Sequence, residues 1–160
     1  MTGEPVGATR IALVVSEYHA FITDGLEAGA RGALAEAGWP DDGIETFLVP
    51  GAFELAQAAQ RLAESKRFAA VVCLGCLIRG ETPHFDYIAQ AASAGILRAA
   101  QSTGVPVSFG LLTTNTVEEA VARSIPGPAN KGREAAVAAV SMARLYHRLA
   151  DGTADDWDGP

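Results

Sequence analysis

What most constrains this chain is an alternation of short apolar runs with longer Ala-rich segments. The runs are rich in β-branched and aromatic residues: IALVV at 11–15, ETFLV at 45–49, AVVCL at 70–74 and VSFGLL at 107–112. Between them, Ile22, Leu26, Ala30 and Leu34 fall on one stripe at helical spacing, and Ile88, Ala92, Ile96 and Ala99 fall on another. A strand that is apolar on both faces must be covered on both, which is the situation of a parallel sheet held between helix layers. The chain is therefore predicted to form a doubly wound α/β domain, a three-layer α/β/α sandwich on a four-stranded parallel sheet, with right-handed crossovers.

Length and charge narrow the function classes. The 160 residues suit one domain, 1–160, with a substantial core. A net charge of −7 and the lack of a Lys/Arg-rich block speak against a nucleic-acid surface. They do not exclude a small anionic ligand, which a few placed cations can hold. No stretch approaches the roughly 20 apolar residues of a membrane span, and MTGEPVGATR does not read as a secretory signal, so a cytoplasmic protein is expected. Two end segments fall outside the alternating pattern. Residues 1–9 are expected to be extended, and the Asp- and Gly-rich tail 150–160 (ADGTADDWDGP) is expected to be mobile.

In an open parallel sheet, ligands bind beyond the carboxyl ends of the strands, and the polar clusters of this sequence fall there. Ser16-Glu17-Tyr18-His19 follows the first run and Pro50-Gly51-Ala52-Phe53-Glu54 the second. IRGETPHFDYIAQ at 78–90 follows the third, and Thr113-Thr114-Asn115 closes the fourth. Together they describe a pocket with aromatics, a carboxylate and an imidazole. Common cofactor motifs are missing: Gly25, Gly29 and Gly32 lie within a helical segment at the wrong spacing for a dinucleotide loop and read as packing positions. Cys73 and Cys76 have CxxC spacing but sit inside an apolar run rather than at a helix start, and read as core residues. His19, His84 and His147 are far apart without metal-site company, so no metal is expected.

The segment 78–90 supports two readings. Gly80-Glu81-Thr82 precedes a helix expected to start near residues 83–85, and exposed N–H groups at such a start favour an anion such as phosphate. There the Thr82 hydroxyl can add a hydrogen bond, and an imidazole such as that of His84 can shuttle protons near neutral pH. The other reading is a capped helix with a surface histidine. Arg123, at the end of a short helix, and Lys131, at the start of the last one, should miss their own domain's pocket. They are either surface charges or groups that serve a neighbour's pocket. The broadly apolar last helix, with Val137, Val140, Met142 and Leu145, favours an oligomer.

Four stretches carry a resemblance: VPGAFEL (49–55), LGCLIRGETPHFDY (74–87), FGLLTTNTVEEAVAR (109–123) and NKGREAA (130–136). The sequence resembles the lumazine synthase family, of flavodoxin-like α/β fold, from about residue 6 to residue 149. The resemblance implies condensation of 5-amino-6-(D-ribitylamino)uracil with 3,4-dihydroxy-2-butanone 4-phosphate, without metal or organic cofactor. The products would be 6,7-dimethyl-8-ribityllumazine, phosphate and water, the penultimate step of riboflavin biosynthesis. It implies that Tyr18 stacks on the pyrimidine, that Gly51, Ala52, Phe53 and Glu54 hold the ribityl chain, and that Leu77 and Ile78 give backbone contacts to the ring. Glu81 and Thr82 would cradle phosphate, with His84 as the acid/base residue. Phe109, Arg123 and Lys131 would come from an adjacent subunit, Arg123 binding phosphate. Glu17-Tyr18-His19 departs from the Arg-Phe-Asn of many members, which touches pocket detail more than activity.

The resemblance also implies a homo-oligomer with sites shared between subunits: a pentamer, a multiple of it, or a 60-subunit capsid. Riboflavin synthase stands as a further partner it raises. Two alternatives remain open beside the enzyme, namely a non-catalytic flavin- or lumazine-binding relative and a shell-forming protein. The combination of Glu54, His84, Arg123 and Lys131 argues against a mere binder, which has no need of both a proton shuttle and a phosphate clamp.

Overall fold

The computed structural model describes residues 10–152. Strands β1 (Arg10–Ser16), β2 (Ile44–Val49), β3 (Phe68–Ile78) and β4 (Val107–Thr114) pair in the order β2-β1-β3-β4, every neighbouring pair parallel. Helices α1 (Ala20–Glu36), α2 (Leu55–Glu64) and α3 (His84–Thr103) make the crossovers, and α4 (Val117–Ala122) and α5 (Lys131–Ala150) follow β4. The path from β1 to β2 runs across the sheet in the opposite sense to the paths β2 to β3 and β3 to β4. Right-handed crossovers therefore set α1 on one face and α2 and α3 on the other.

The core divides accordingly. Ile22, Leu26, Ala30 and Leu34 of α1 and Ala135, Ala136, Ala139 and Val140 of α5 bury one face of the sheet. Leu55, Ala59 and Ala63 of α2 and Ala92, Ile96 and Ala99 of α3 bury the other. Both predicted helix stripes thus face the sheet, and the three-layer α/β arrangement is as expected. Cys73 and Cys76, three positions apart on β3, point into opposite halves of this core. Burial pushes their thiols up to about 12 and about 11. They are core residues and not a redox pair.

Three local expectations change. The third strand runs four residues past the predicted 70–74, because β4 continues beside it and pairs Leu77 with Thr113 and Ile78 with Thr114. Gly32 has open space where a side chain would stand, so it is not a packing position, whereas Gly25 and Gly29 are. Of the tail expected to be mobile, Ala150 closes α5 and Asp151 caps it, its carboxylate 3.0 Å from His147 Nε2. Residues 1–9 and 153–160, the rest of the two end segments, lie outside the described residues.

α1 and α5 pack tightly at Gly132, where a methyl group would overlap the main-chain carbonyl of Leu26. A main-chain atom cannot rotate away, so a larger residue must push the helices apart. Helix propensity alone favours Ala over Gly by about 1 kcal/mol, while overpacking costs roughly 1–3 kcal/mol. Gly132→Ala is expected to lower stability by up to about 2 kcal/mol in a urea melt. A stabilised variant would show that the helices do not meet this closely.

Candidate active site

The strand order reverses between β1 and β3, and the segments leaving these strands flank that switch point. The Glu17 N–H donates to Val49 O (2.8 Å) and the Tyr18 N–H to Pro50 O (3.2 Å), which stitches the loop after β1 to the turn after β2. Tyr18 is thereby held beside Gly51, Ala52, Phe53 and Glu54. Ala52–Glu54 forms a short 3-10 turn, with Ala52 buried and Phe53 exposed. The Glu54 N–H bonds Gly51 O (3.1 Å), and the Glu54 carboxylate lies over Gly51, 3.4 Å from where a Cβ would be. Leu77 and Ile78 end β3, half-buried.

His19 caps α1 in the left-handed region at φ 61°. His is among the few residues enriched there, so this backbone suits it. Its ring meets Tyr18 edge-on at 4.4 Å and Phe21 at 5.9 Å, and partial burial lowers its pKa from the ordinary value.

The segment after β3 is held by a side-chain staple. The main chain of Arg79 adds one more bond to the sheet, N–H to Thr114 O at 2.9 Å. Its guanidinium forks onto Asp86, Nη1 to Oδ2 at 3.3 Å and Nη2 to Oδ1 at 3.2 Å, while Nε donates to Asn115 Oδ1 at 3.0 Å. Cζ lies 4.5 Å above the centre of the Phe85 ring. Gly80, Glu81, Thr82, Pro83 and His84 are bracketed between the two ends of this staple. The crowding of charge at 79–86 thus has two purposes. Arg79 and Asp86 close the loop, and Glu81, Thr82 and His84 stand exposed on it.

α3 begins at His84, with Pro83 in the cap position and no side-chain cap bond. The first N–H of this turn to find a main-chain acceptor is that of Asp86, onto Pro83 O at 3.0 Å. Among the described residues, the free N–H groups at this helix start have no acceptor, the condition under which a helix N-terminus can hold an anion. Arg79 and Asp86 are half-exposed, so the fork and the ring contact together are worth only about 1 kcal/mol. Arg79→Ala should cost that much stability in a denaturant melt. Arg79→Lys, which keeps the charge without the fork, should recover less than half of it. Full recovery by lysine would mean that the planar fork does not hold the loop.

Phe109 is 48% exposed on β4. With Arg79, Phe85, Gln90, Ser93, Thr113 and Asn115 it lines a concavity of about 480 Å³ between α3 and β4. No other predicted site residue lines that concavity. Arg123 caps the end of α4, its Nη1 bonded to Glu119 O at 2.9 Å, and Lys131 opens α5, its Nζ 2.8 Å from Glu134 Oε2. The Lys131 N–H donates to Arg123 O at 2.9 Å, so the main chain brings these two residues together. Among the described residues, no hydrogen bond or ion pair joins either cation to Glu81, Thr82 or His84. Sequence reasoning placed Arg79, Asp86 and Asn115 in the polar clusters at the sheet's edge but gave none of them a role of its own. Opposite charges seven positions apart around a Gly and a Pro were the available signal.

A family model described as 6,7-dimethyl-8-ribityllumazine synthase matches residues 8–147. The chain belongs to that family. It is 49% identical, over 142 residues, to "6,7-dimethyl-8-ribityllumazine synthase 1" of Caulobacter vibrioides, a match covering 89% of this chain and 93% of the relative. Membership makes it a transferase that forms 6,7-dimethyl-8-ribityllumazine in riboflavin biosynthesis. Two crystal structures of a GDP-L-fucose synthetase from Naegleria fowleri overlap it with TM-scores of 0.39 and 0.40 at 14% and 15% identity. The overlap covers 95% and 97% of this chain, which spans about half of theirs (47% and 52%), and it carries no argument about function. No helix among the described residues is long and apolar enough to cross a membrane.

Proposed function

We propose that the lumazine-forming reaction runs at the carboxyl edge of the sheet, in a crevice completed by a second copy of the chain. Tyr18 stacks on the pyrimidine of 5-amino-6-(D-ribitylamino)uracil, and Leu77 and Ile78 contact its edge through the main chain. Gly51, Ala52, Phe53 and Glu54 hold the ribityl group, the Glu54 carboxylate accepting from its hydroxyls. The N–H groups around Glu81 and Thr82 receive the phosphate of 3,4-dihydroxy-2-butanone 4-phosphate. Phe109, Arg123 and Lys131 enter from the adjacent subunit of a pentamer.

The uracil amine attacks the ketone and loses one water to give an imine. Removal of a carbon-bound proton then expels phosphate. The enol left by this elimination tautomerises to a ketone at the former hydroxyl-bearing carbon, and the ribityl-bearing nitrogen closes onto that carbon with loss of a second water. Each step moves a proton, so one imidazole, that of His84, can serve several of them. Holding the two substrates together supplies up to about 7–11 kcal/mol more.

The observation that carries the shared site is a division within the chain. His84 opens α3 on one face of the sheet, whereas Lys131 opens α5 on the other and is bonded to Arg123. Elimination of phosphate needs the proton shuttle and the cations at one substrate, and two copies supply both. Exposed Phe109, Ile125, Val137 and Leu149 give such a neighbour apolar surface to cover. The test mixes purified protein with both substrates, follows lumazine fluorescence and phosphate release, and measures mass in solution. Equal yields of lumazine and phosphate from a pentamer or larger assembly are expected. Turnover by a monomer would overturn the shared site, and binding without phosphate release would overturn catalysis.

A further inference from the structure

Arg123 and Lys131 are separated by the connection 124–130 (SIPGPAN), rich in Pro and Gly and with little regular structure of its own. What holds it is the side chain of Asn130, which is 1% exposed. The Asn130 amide donates to three main-chain carbonyls: Gly25 O on α1 (3.1 Å), Ser124 O (3.0 Å) and Ile125 O (3.0 Å). Its Oδ1 accepts from the Arg133 N–H (3.0 Å) and so caps α5. An amide has two N–H bonds, so three carbonyls converging on one nitrogen mark a site shaped around that group. α1 is shaped to match. A methyl at Gly29 would overlap the Asn130 carboxamide, and one at Gly25 would overlap Ser124 O.

We propose that Asn130 is the positioning residue of the phosphate clamp. It ties both ends of the connection to α1 and so fixes the main chain from which the Arg123 and Lys131 side chains project. Through α1 it also relates them to the loop that carries Tyr18. This rests on the reading of Arg123 as a phosphate ligand. Asn130 touches no substrate itself and acts through the two cations.

The two halves of its carboxamide can be separated. Serine at 130 keeps a cap acceptor for α5 but cannot reach three carbonyls. Aspartate keeps the shape and the cap but turns an oxygen where the amide donated. Binding of inorganic phosphate and of ribitylaminouracil is to be measured by calorimetry on assembled Asn130→Ser and Asn130→Asp, with Arg123→Ala beside them. Both position-130 variants are expected to weaken phosphate about tenfold and to leave the pyrimidine within about twofold. A general loosening of the fold would weaken both ligands alike, and that outcome overturns the proposal. Unchanged phosphate affinity in a folded variant at 130, with affinity lost in Arg123→Ala, also overturns it while sparing the clamp. Unchanged affinity in Arg123→Ala itself removes the clamp and the proposal with it. Asn130→Ser is the variant that decides should aspartate not fold.

Discussion

Alanine at position 84 is expected to slow the chemical step about a hundredfold while leaving ribitylaminouracil affinity nearly unchanged. Positioned general acid–base groups contribute roughly 10²–10⁴ in rate, and two features set the expectation at the lower end. His84 is exposed at the first position of α3, so water or buffer reaches the same protons once the imidazole is gone. The attacking amine is also a nucleophile without activation, and holding two substrates together does not depend on this ring. The Arg79–Asp86 staple that shapes the loop is left in place. Single-turnover kinetics under saturating substrates isolate the step from product release. Added imidazole should restore part of the rate. An unchanged single-turnover rate would remove His84 from the chemistry, and a loss of pyrimidine affinity as large as the loss of rate would make it a binding residue.

The layers of the fold were legible because a parallel sheet imposes a plain requirement: strands without polar alternation, and helices with one apolar stripe. Where the strands end was less so. The run AVVCL stops at Leu74, just before Gly75, yet β3 continues through Gly75 to Ile78. A Cβ there would press on Leu55, Ser16 and Leu111 at 2.9–3.1 Å. This Gly marks close packing inside a strand rather than its end, and only the neighbours on β1, β4 and α2 reveal that. The register of β4 alongside then decides how far the ladder runs.

The candidate site divides the same way. Residues at strand ends, such as Tyr18, Glu54 and His84, could be placed from the pattern alone, since topology puts every such end on one edge. The supporting side chains could not. Asp86 reads as an acidic residue in the first turn of a helix, a common and undistinguished place. Its fork onto Arg79 depends on a loop closing back on itself. Asn130 reads as a helix cap, which it is, but its amide also reaches back to Ser124 O and Ile125 O and across to Gly25 O, which comes near only when α5 lies on α1.

Replacing Arg123 with alanine is expected to weaken phosphate binding by roughly 10- to 150-fold, the equivalent of the 1.5–3 kcal/mol of a hydrogen bond to a charged group. The guanidinium is exposed and, among the described residues, bonded through Nη1 alone to a carbonyl of its own helix, which leaves the rest of its fork for a planar, bidentate partner. The same loss should reach the rate, because the departing phosphate carries more charge than the bound ester. kcat and the affinity for the butanone phosphate should therefore fall together, with ribitylaminouracil affinity retained. Lysine at 123 keeps the charge but not the fork and should recover only part of the loss. The decisive comparison mixes impaired His84→Ala subunits with impaired Arg123→Ala subunits. If each site takes its imidazole from one copy and its guanidinium from the next, mixed assemblies contain sites with both groups intact and regain activity. If both groups came from one chain, no mixture would rise above its parents.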